Sequence, residues 1–240
     1  MCGRYFLKST PDEVGLHFDL DIRDNFPPRY NIAPTQPIAV ICQNERRKRD
    51  YALMRWGFIP SWQKKPSARP LVNARAETIM EKPSFQSAYK RRRCLIPADG
   101  FYEWRSVSGG KQPYCIQRHD NGLFAFAGIW ETATDPDGGE IDTAAILTIA
   151  RGPDLRALHH REPVVIASKY FSTWLKADER DIAMLGDLLT PAPAEFWKFF
   201  AVSNAVNNVR HDGPVLIEKT QPPGHAELRA TQQAQPDLFV

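Results

Sequence analysis

Cysteine stands at position 2, directly behind the initiator, in the opening Met1-Cys2-Gly3-Arg4-Tyr5. Methionine aminopeptidases act when the second residue is small, so a mature chain that begins at Cys2 is expected. A terminal cysteine carries a thiol and a free amine on adjacent carbons. Their reference pKa values are about 8.5 and about 8, so both are partly nucleophilic near neutrality. Such a pair can attack an aldehyde twice: the amine condenses to an imine, and the sulfur then closes onto the imine carbon to give a five-membered thiazolidine. It can also act as a single N-terminal nucleophile with its amine as base. The plain alternative is an exposed thiol on a frayed end.

Three polar phrases sit in apolar surroundings. In Leu71-Val72-Asn73-Ala74-Arg75-Ala76-Glu77-Thr78, Asn73 and Arg75 are two apart and share a face if the chain is extended. Asn73 would then orient an amine or carbonyl and Arg75 hold a phosphate; otherwise Asn73 caps a following helix and Arg75 pairs with Glu77. In Ala98-Asp99-Gly100-Phe101-Tyr102-Glu103-Trp104 a carboxylate lies among aromatics. Desolvation there raises its pKa toward values useful for proton transfer, unless Glu103 faces water while Phe101 and Tyr102 pack. In His159-His160-Arg161-Glu162-Pro163 adjacent histidines point apart, which argues against a shared metal. One of them is then an acid/base group with Arg161 on phosphate, or a structural histidine.

The elements that must position these groups are mostly strands. Runs at 4–7, 38–43, 51–56, 94–97, 101–107, 114–118, 123–130, 144–150 and 163–167 read as extended. Ser108-Gly109-Gly110-Lys111 reads as the turn of a hairpin. Thr10-Pro11-Asp12-Glu13 starts a helix running through 14–18. Further helices are expected at 83–90, 169–175, 179–189 and, briefly, 194–200. The cluster Arg46-Arg47-Lys48-Arg49 reads as a solvated hairpin tip, and Lys90-Arg91-Arg92-Arg93 as the end of a helix, where cations suit the dipole. The fold class is α+β: a single domain over residues 1–218 with a mostly antiparallel, barrel-like β core and flanking short helices. The Gln, Pro and Ala bias from 219 to 240 reads as a disordered tail.

Composition narrows the classes. The 240 residues hold 31 Lys and Arg against 28 Asp and Glu, too mild an excess for a histone-like binder. No run approaches the ~20 apolar residues of a membrane span, and no signal-like run opens the chain. A cytoplasmic protein is expected, nucleoid-associated if bacterial. The four cysteines are far apart with no C-x-x-C pair, so neither a disulfide framework nor a metal site is expected, and Cys42, Cys94 and Cys115 read as buried.

In order along the chain, Met1-Cys2-Gly3-Arg4-Tyr5, Arg29-Tyr30-Asn31-Ile32-Ala33-Pro34, Trp56-Gly57, Asn73-Ala74-Arg75-Ala76-Glu77-Thr78, Ala98-Asp99-Gly100-Phe101-Tyr102-Glu103-Trp104, His159 with Arg161 and Pro163, Val202-Ser203 and Val206-Asn207 resemble the SRAP family, the SOS-response-associated peptidase domain. The resemblance covers roughly residues 2 to 218. It implies a cofactor-free, monomeric sensor of abasic sites in single-stranded DNA that crosslinks covalently through Cys2. Family register implies Cys2, Asn73, Glu103 and His159 as the catalytic set. It implies Arg4, Arg75 and Arg161 on phosphate, and Trp104, with tryptophans near Trp56 and Trp62, stacking on bases; for Trp56 the core is the better reading. The family name leaves room for self-removal of Met1 and for lyase-like chemistry. Two residues depart from the family pattern: His160, and Glu162, which is expected to set an acid beside the DNA path.

Two other readings compete. Class II glutamine amidotransferases also begin Cys-Gly, but this chain lacks their Asn-Gly-Glu-type loop and has no room for a synthase domain. A catalytically idle single-strand or modified-base binder would use the same pocket without a covalent bond.

Overall fold

Runs of apolar residues alternating with polar ones pair here as strands of two sheets. The computed structural model describes residues 2–63, 71–107, 110–134, 138–156 and 158–221. The strands are β1 (Tyr5–Leu7), β2 (Arg29–Ile32), β3 (Pro37–Gln43), β4 (Arg49–Trp56), β5 (Asn73–Arg75), β6 (Arg93–Ala98), β7 (Gly100–Val107), β8 (Gly110–Arg118), β9 (Phe124–Thr134), β10 (Glu140–Ala150), β11 (Arg161–Pro163), β12 (Val165–Ile166) and β13 (Trp197–Ala201). The α-helices are α1 (Pro11–Phe18), α2 (Pro83–Arg91), α3 (Phe171–Lys176) and α4 (Ile182–Leu185).

Strands β10, β4, β3, β6 and β9 pair in that order, and β9 pairs back to β10, closing a five-stranded barrel. All of these pairings are antiparallel except β10 with β4. Closure suits strands such as β6, buried along its whole length, because a barrel buries one face inside and here packs the other outside. A second sheet runs β13-β8-β7-β1-β2. Its β1 lies close on β7 because residue 100 is glycine: a Cβ there would stand 2.4 Å from the Phe6 ring. Tyr5 then meets Trp56 and Phe126 edge to face, at centroid distances of 5.3 and 5.9 Å, joining the sheet to the barrel.

Local signals hold where the chemistry is local. Thr10 and Glu13 form a reciprocal capping box on α1, as the sequence predicts. The 46–49 cluster lies at the β3–β4 turn, and its last member reaches back to the fold, Arg49 donating to Phe18 O at 2.7 Å and Ser172 Oγ at 2.8 Å. Strands β7 and β8 form the expected hairpin, although Ser108 and Gly109 of its turn lie outside the described residues.

The 90–93 cluster does end a helix, but Arg93 is buried. Its guanidinium donates to Tyr89 O, Lys90 O and Trp174 O at 2.6 to 2.8 Å and to Ala177 O, tying together the ends of α2 and α3. Arg93→Ala strands these carbonyls, and at about 1 kcal/mol or more for each buried acceptor left unpaired the loss is expected near 3 kcal/mol. A urea unfolding midpoint unchanged from the parent would contradict that assignment.

Three expectations are corrected. Residues 194–200 are not a helix: 197–201 form β13, because the open edge of β8 offers an antiparallel partner from Trp197↔Arg118 to Ala201↔Tyr114. The helix at 179–189 shrinks to α4 followed by a 3-10 turn over Gly186–Leu188, where glycine lowers helix propensity. The strand at 163–167 is two strands, because the chain crosses at Val164 from pairing with β10 to pairing with β9. Thr220 N–H still donates to Ala201 O at 2.8 Å, and residues 222–240 of the expected tail lie outside the described part. Among the described residues no helix is long and apolar enough to cross a membrane.

Candidate active site

Strand β1 fixes where the N-terminal residues go. Tyr102 N–H donates to Arg4 O at 2.9 Å, so the chain ahead of Tyr5 runs back along β7 toward Glu103 and Trp104. Cys2 is 1% exposed and belongs to the main core. The frayed-end alternative is therefore not what forms. Burial pushes the Cys2 thiol well above its usual range, and the charge of Glu103 pushes the same way.

Asn73 enters from the other sheet. Strand β5 runs parallel to β10 in the register Ile146↔Asn73 to Thr148↔Arg75, and the Asn73 Nδ2 donates to Cys2 O at 2.9 Å. Its Oδ1 is buried and accepts no hydrogen bond among the described residues. Asn73 does not cap the 3-10 turn that follows, whose cap position is Arg75. As the two-residue spacing predicts, Arg75 shares the face of Asn73, and it is exposed.

Glu103 is 5% exposed, which excludes the alternative in which it faces water. Burial raises its carboxyl above the ordinary glutamate range. Phe101 and Tyr102 are buried on either face of the strand, and Trp104 is half-buried.

His159 and His160 differ sharply. His160 is exposed, while His159 is half-buried, with the two ring centroids 4.1 Å apart. Burial above all lowers His159 to about 4, and the neighbouring Arg151 charge adds to this. Its Nδ1 lies 3.1 Å from the Arg161 N–H and 3.3 Å from Arg161 O. The shorter, directed contact makes Nδ1 the acceptor and leaves the ring proton on Nε2. His159 is therefore a neutral imidazole at physiological pH.

Arg161, expected on phosphate, is buried and forks onto Glu77: Nη1 to Oε1 at 3.1 Å and Nη2 to Oε2 at 2.8 Å, with Nη2 also on Thr148 O at 2.6 Å. Glu77 thus pairs with Arg161 and not with Arg75. This clamp joins the residues after β5 to β11 across β10 and so fixes His159 relative to Asn73. Glu162 needs correction too. Strand alternation turns it to the opposite side, where it accepts Gly152 N–H and Ala192 N–H, both at 2.7 Å, so it is a loop anchor away from the face of Arg161.

Arg4 is half-buried and donates to Asn31 Oδ1 and Val206 O, both at 2.7 Å. Trp56 is core, its Nε1 donating to Val72 O, whereas Trp62 is 64% exposed. Asn31, Glu77, Thr148 and Asn207 were not marked by residue type alone. Asn31 and Asn207 lie within the quoted phrases, but the contacts of the Asn31 amide N–H groups span 175 residues or more and the Asn207 contact spans 103, so neither leaves a local signal. Cys42, Cys94 and Cys115 are free and buried, as expected. No group of three His, Cys, Asp or Glu side chains among the described residues is placed to hold a metal.

The chain is similar to several known proteins. The family model described as SOS response associated peptidase (SRAP) matches residues 1–209. A Bacillus subtilis protein named abasic site processing protein YoqW is 36% identical over 223 residues, covering 91% of this chain and 99% of that protein. The Gallus gallus abasic site processing protein HMCES is 30% identical, covering 85% and 70%. The Escherichia coli abasic site processing protein YedK is 29% identical, covering 91% and 99%. A crystal structure of a Bordetella bronchiseptica protein superposes with a TM-score of 0.73 at 28% identity, over 84% of this chain and all of that one. One from Bacteroides thetaiotaomicron shares the fold with a TM-score of 0.79 at 23% identity, over 92% and 100%.

Proposed function

The chain belongs to the SRAP family, and on that premise we propose that it processes abasic sites in single-stranded DNA by covalent capture through Cys2 once Met1 is removed. The observation that carries this reading is the grip of Asn73 on the Cys2 carbonyl beside a buried carboxyl, Glu103, whose charge acts on the Cys2 thiol. The names of the relatives supply the class of substrate.

An abasic deoxyribose is mostly a closed hemiacetal in equilibrium with an open-chain aldehyde. His159, as a neutral N–H donor, assists opening at the sugar oxygen. The Cys2 amine adds to the aldehyde carbon, and the carbonyl oxygen leaves as water with protons passed through Glu103. The thiol then adds to the imine carbon: a C–S bond forms, the C=N pair becomes the nitrogen lone pair, and the thiol proton ends on that nitrogen. The amine acts first and the sulfur second, because the sulfur adds to the imine carbon that the amine creates. Asn73 Oδ1, without a partner among the described residues, is an acceptor for the amine or a sugar hydroxyl. Exposed Arg75 contacts phosphate, while Arg161 keeps His159 in place through Glu77.

The test is direct. Purified protein is mixed with a single-stranded oligonucleotide carrying one abasic site and run on a denaturing gel. A heat-stable band is expected whose intact mass equals the chain without Met1 plus the DNA minus one water. A mass that retains Met1, or no shifted band, overturns the proposal.

A further inference from the structure

Of two asparagines that the capture chemistry leaves unused, Asn207 meets the tryptophan next to Glu103 and Asn31 holds the segment that carries Asn207. We propose that Asn207, braced by Asn31, is a positioning residue that holds the Trp104 indole as a stacking platform for a DNA base, and that Arg4 backs this ring. The proposal rests on the single-stranded DNA reading above.

Trp104 is half-buried, and its Nε1 donates to Asn207 Oδ1 at 2.7 Å. A tryptophan that merely fills a core would be covered, and its donor would not be spent on an exposed side chain. The Arg4 guanidinium lies 5.8 Å from the indole centroid, within cation–π range. Arg4 is itself held, because Nη1 donates both to Asn31 Oδ1 and to Val206 O.

Asn31 is the hub. Buried in β2, it directs its amide N–H groups at Val206 O (3.3 Å), Asn208 O (3.0 Å) and His211 O (2.8 Å), carbonyls on both sides of Asn207. Tyr30 N–H adds a bond to Asp212 Oδ1 at 2.6 Å, and Tyr102 Oη–H donates to Tyr30 O at 2.7 Å. Val206 packs with Phe6, Tyr102 and Cys115 in a small core beneath. A segment remote in sequence is thus strapped to β2 so that one side chain, Asn207, meets one ring edge. With Arg4 on a face and Asn207 on the N–H edge, the indole is fixed in one rotamer, so a base stacks on it without first ordering it.

The experiment measures affinity for a fluorescent, undamaged oligothymidylate by anisotropy, in a Cys2→Ala background so that covalent capture plays no part. Asn207→Leu is expected to weaken binding about 5-fold, part of the stacking contribution typical of such rings. In a Trp104→Phe background, which lacks the N–H, the same change should add less than about 2-fold, because the pair is coupled. With Cys2 intact, Asn207→Leu should raise the half-saturating DNA concentration for crosslinking and leave the limiting rate within about 2-fold. If leucine lowers the melting temperature, Asn207→Ser, whose hydroxyl is too short to reach Nε1, repeats the measurement. Equal weakening in both backgrounds means Asn207 touches DNA directly and overturns the platform, as does no weakening in either. If the parent fails to bind the oligothymidylate the platform also falls, while the abasic-site gel still decides the capture chemistry on its own.

Discussion

The Cys2→Ala protein is expected to form no heat-stable product with abasic single-stranded DNA, and to cleave that DNA faster than the parent does. Both outcomes follow from keeping the amine and deleting the sulfur. Alanine at position 2 still allows Met1 to be removed, so an imine can form with the open-chain aldehyde. Without ring closure the C=N group remains an electron sink, acidifies the adjacent carbon and promotes elimination of the 3′ phosphate. The imine itself hydrolyses on heating. On the proposed mechanism, the sulfur turns a strand-breaking intermediate into a protective one.

Cys2→Ser separates the two steps further. Its hydroxyl is a weaker nucleophile, so product is expected only when a hydride donor reduces the imine in place. Loss of one buried sulfur atom costs about 1 kcal/mol, too little to unfold the domain, so a melting curve near that of the parent leaves the gel to report chemistry. A heat-stable band from Cys2→Ala would sink the mechanism. An unchanged cleavage rate would instead mean that the amine never forms an imine at this site.

What could be read in advance divides along a physical line. The α1 cap, the β7–β8 hairpin and the shared face of Asn73 and Arg75 depend on neighbours a few residues apart, and periodicity reports those. The aromatic run at 196–200 suits helix or strand equally; the open edge of β8 decides it, and nothing local to the run encodes that edge. Arg161 shows the same limit at the site. Its charge suggests phosphate, yet a carboxylate 84 positions away takes its fork. Glu162 was misjudged for a simpler reason: a single step along a strand reverses the side chain, so an acid next to Arg161 in sequence anchors a loop on the other side. Asn31 and Asn207 are the extreme case, polar residues whose roles exist only once the ends of the chain have met.

Glu103→Gln is expected to slow crosslinking about 10²-fold, the lower part of the range for a general acid–base group, while leaving the protein at least as stable near neutrality. The rate effect follows from position: amide nitrogen and oxygen keep the shape of the carboxyl but cannot carry a proton between amine, sugar oxygen and thiol. The stability effect follows from burial, which raises the Glu103 pKa. The folded state then holds this proton to higher pH than the unfolded chain does, whose glutamates ionise near about 4.3. As pH rises from that value through the folded one, the folded state binds more protons than the unfolded, and stability falls. Below the window the carboxyl is neutral in both states and nothing is lost. Glutamine never ionises, so its melting temperature should match the parent at low pH and equal or exceed it near neutrality. His159, neutral down to about 4, adds no step near pH 6.5 to the rate profile; the attacking amine sets an inflection near its reference value of about 8, and the inflection on the acid side of it belongs to Glu103 and disappears in Glu103→Gln. An unaltered crosslinking rate removes Glu103 from the chemistry. A melting temperature lowered by the same amount at every pH makes it a hydrogen-bonding support instead.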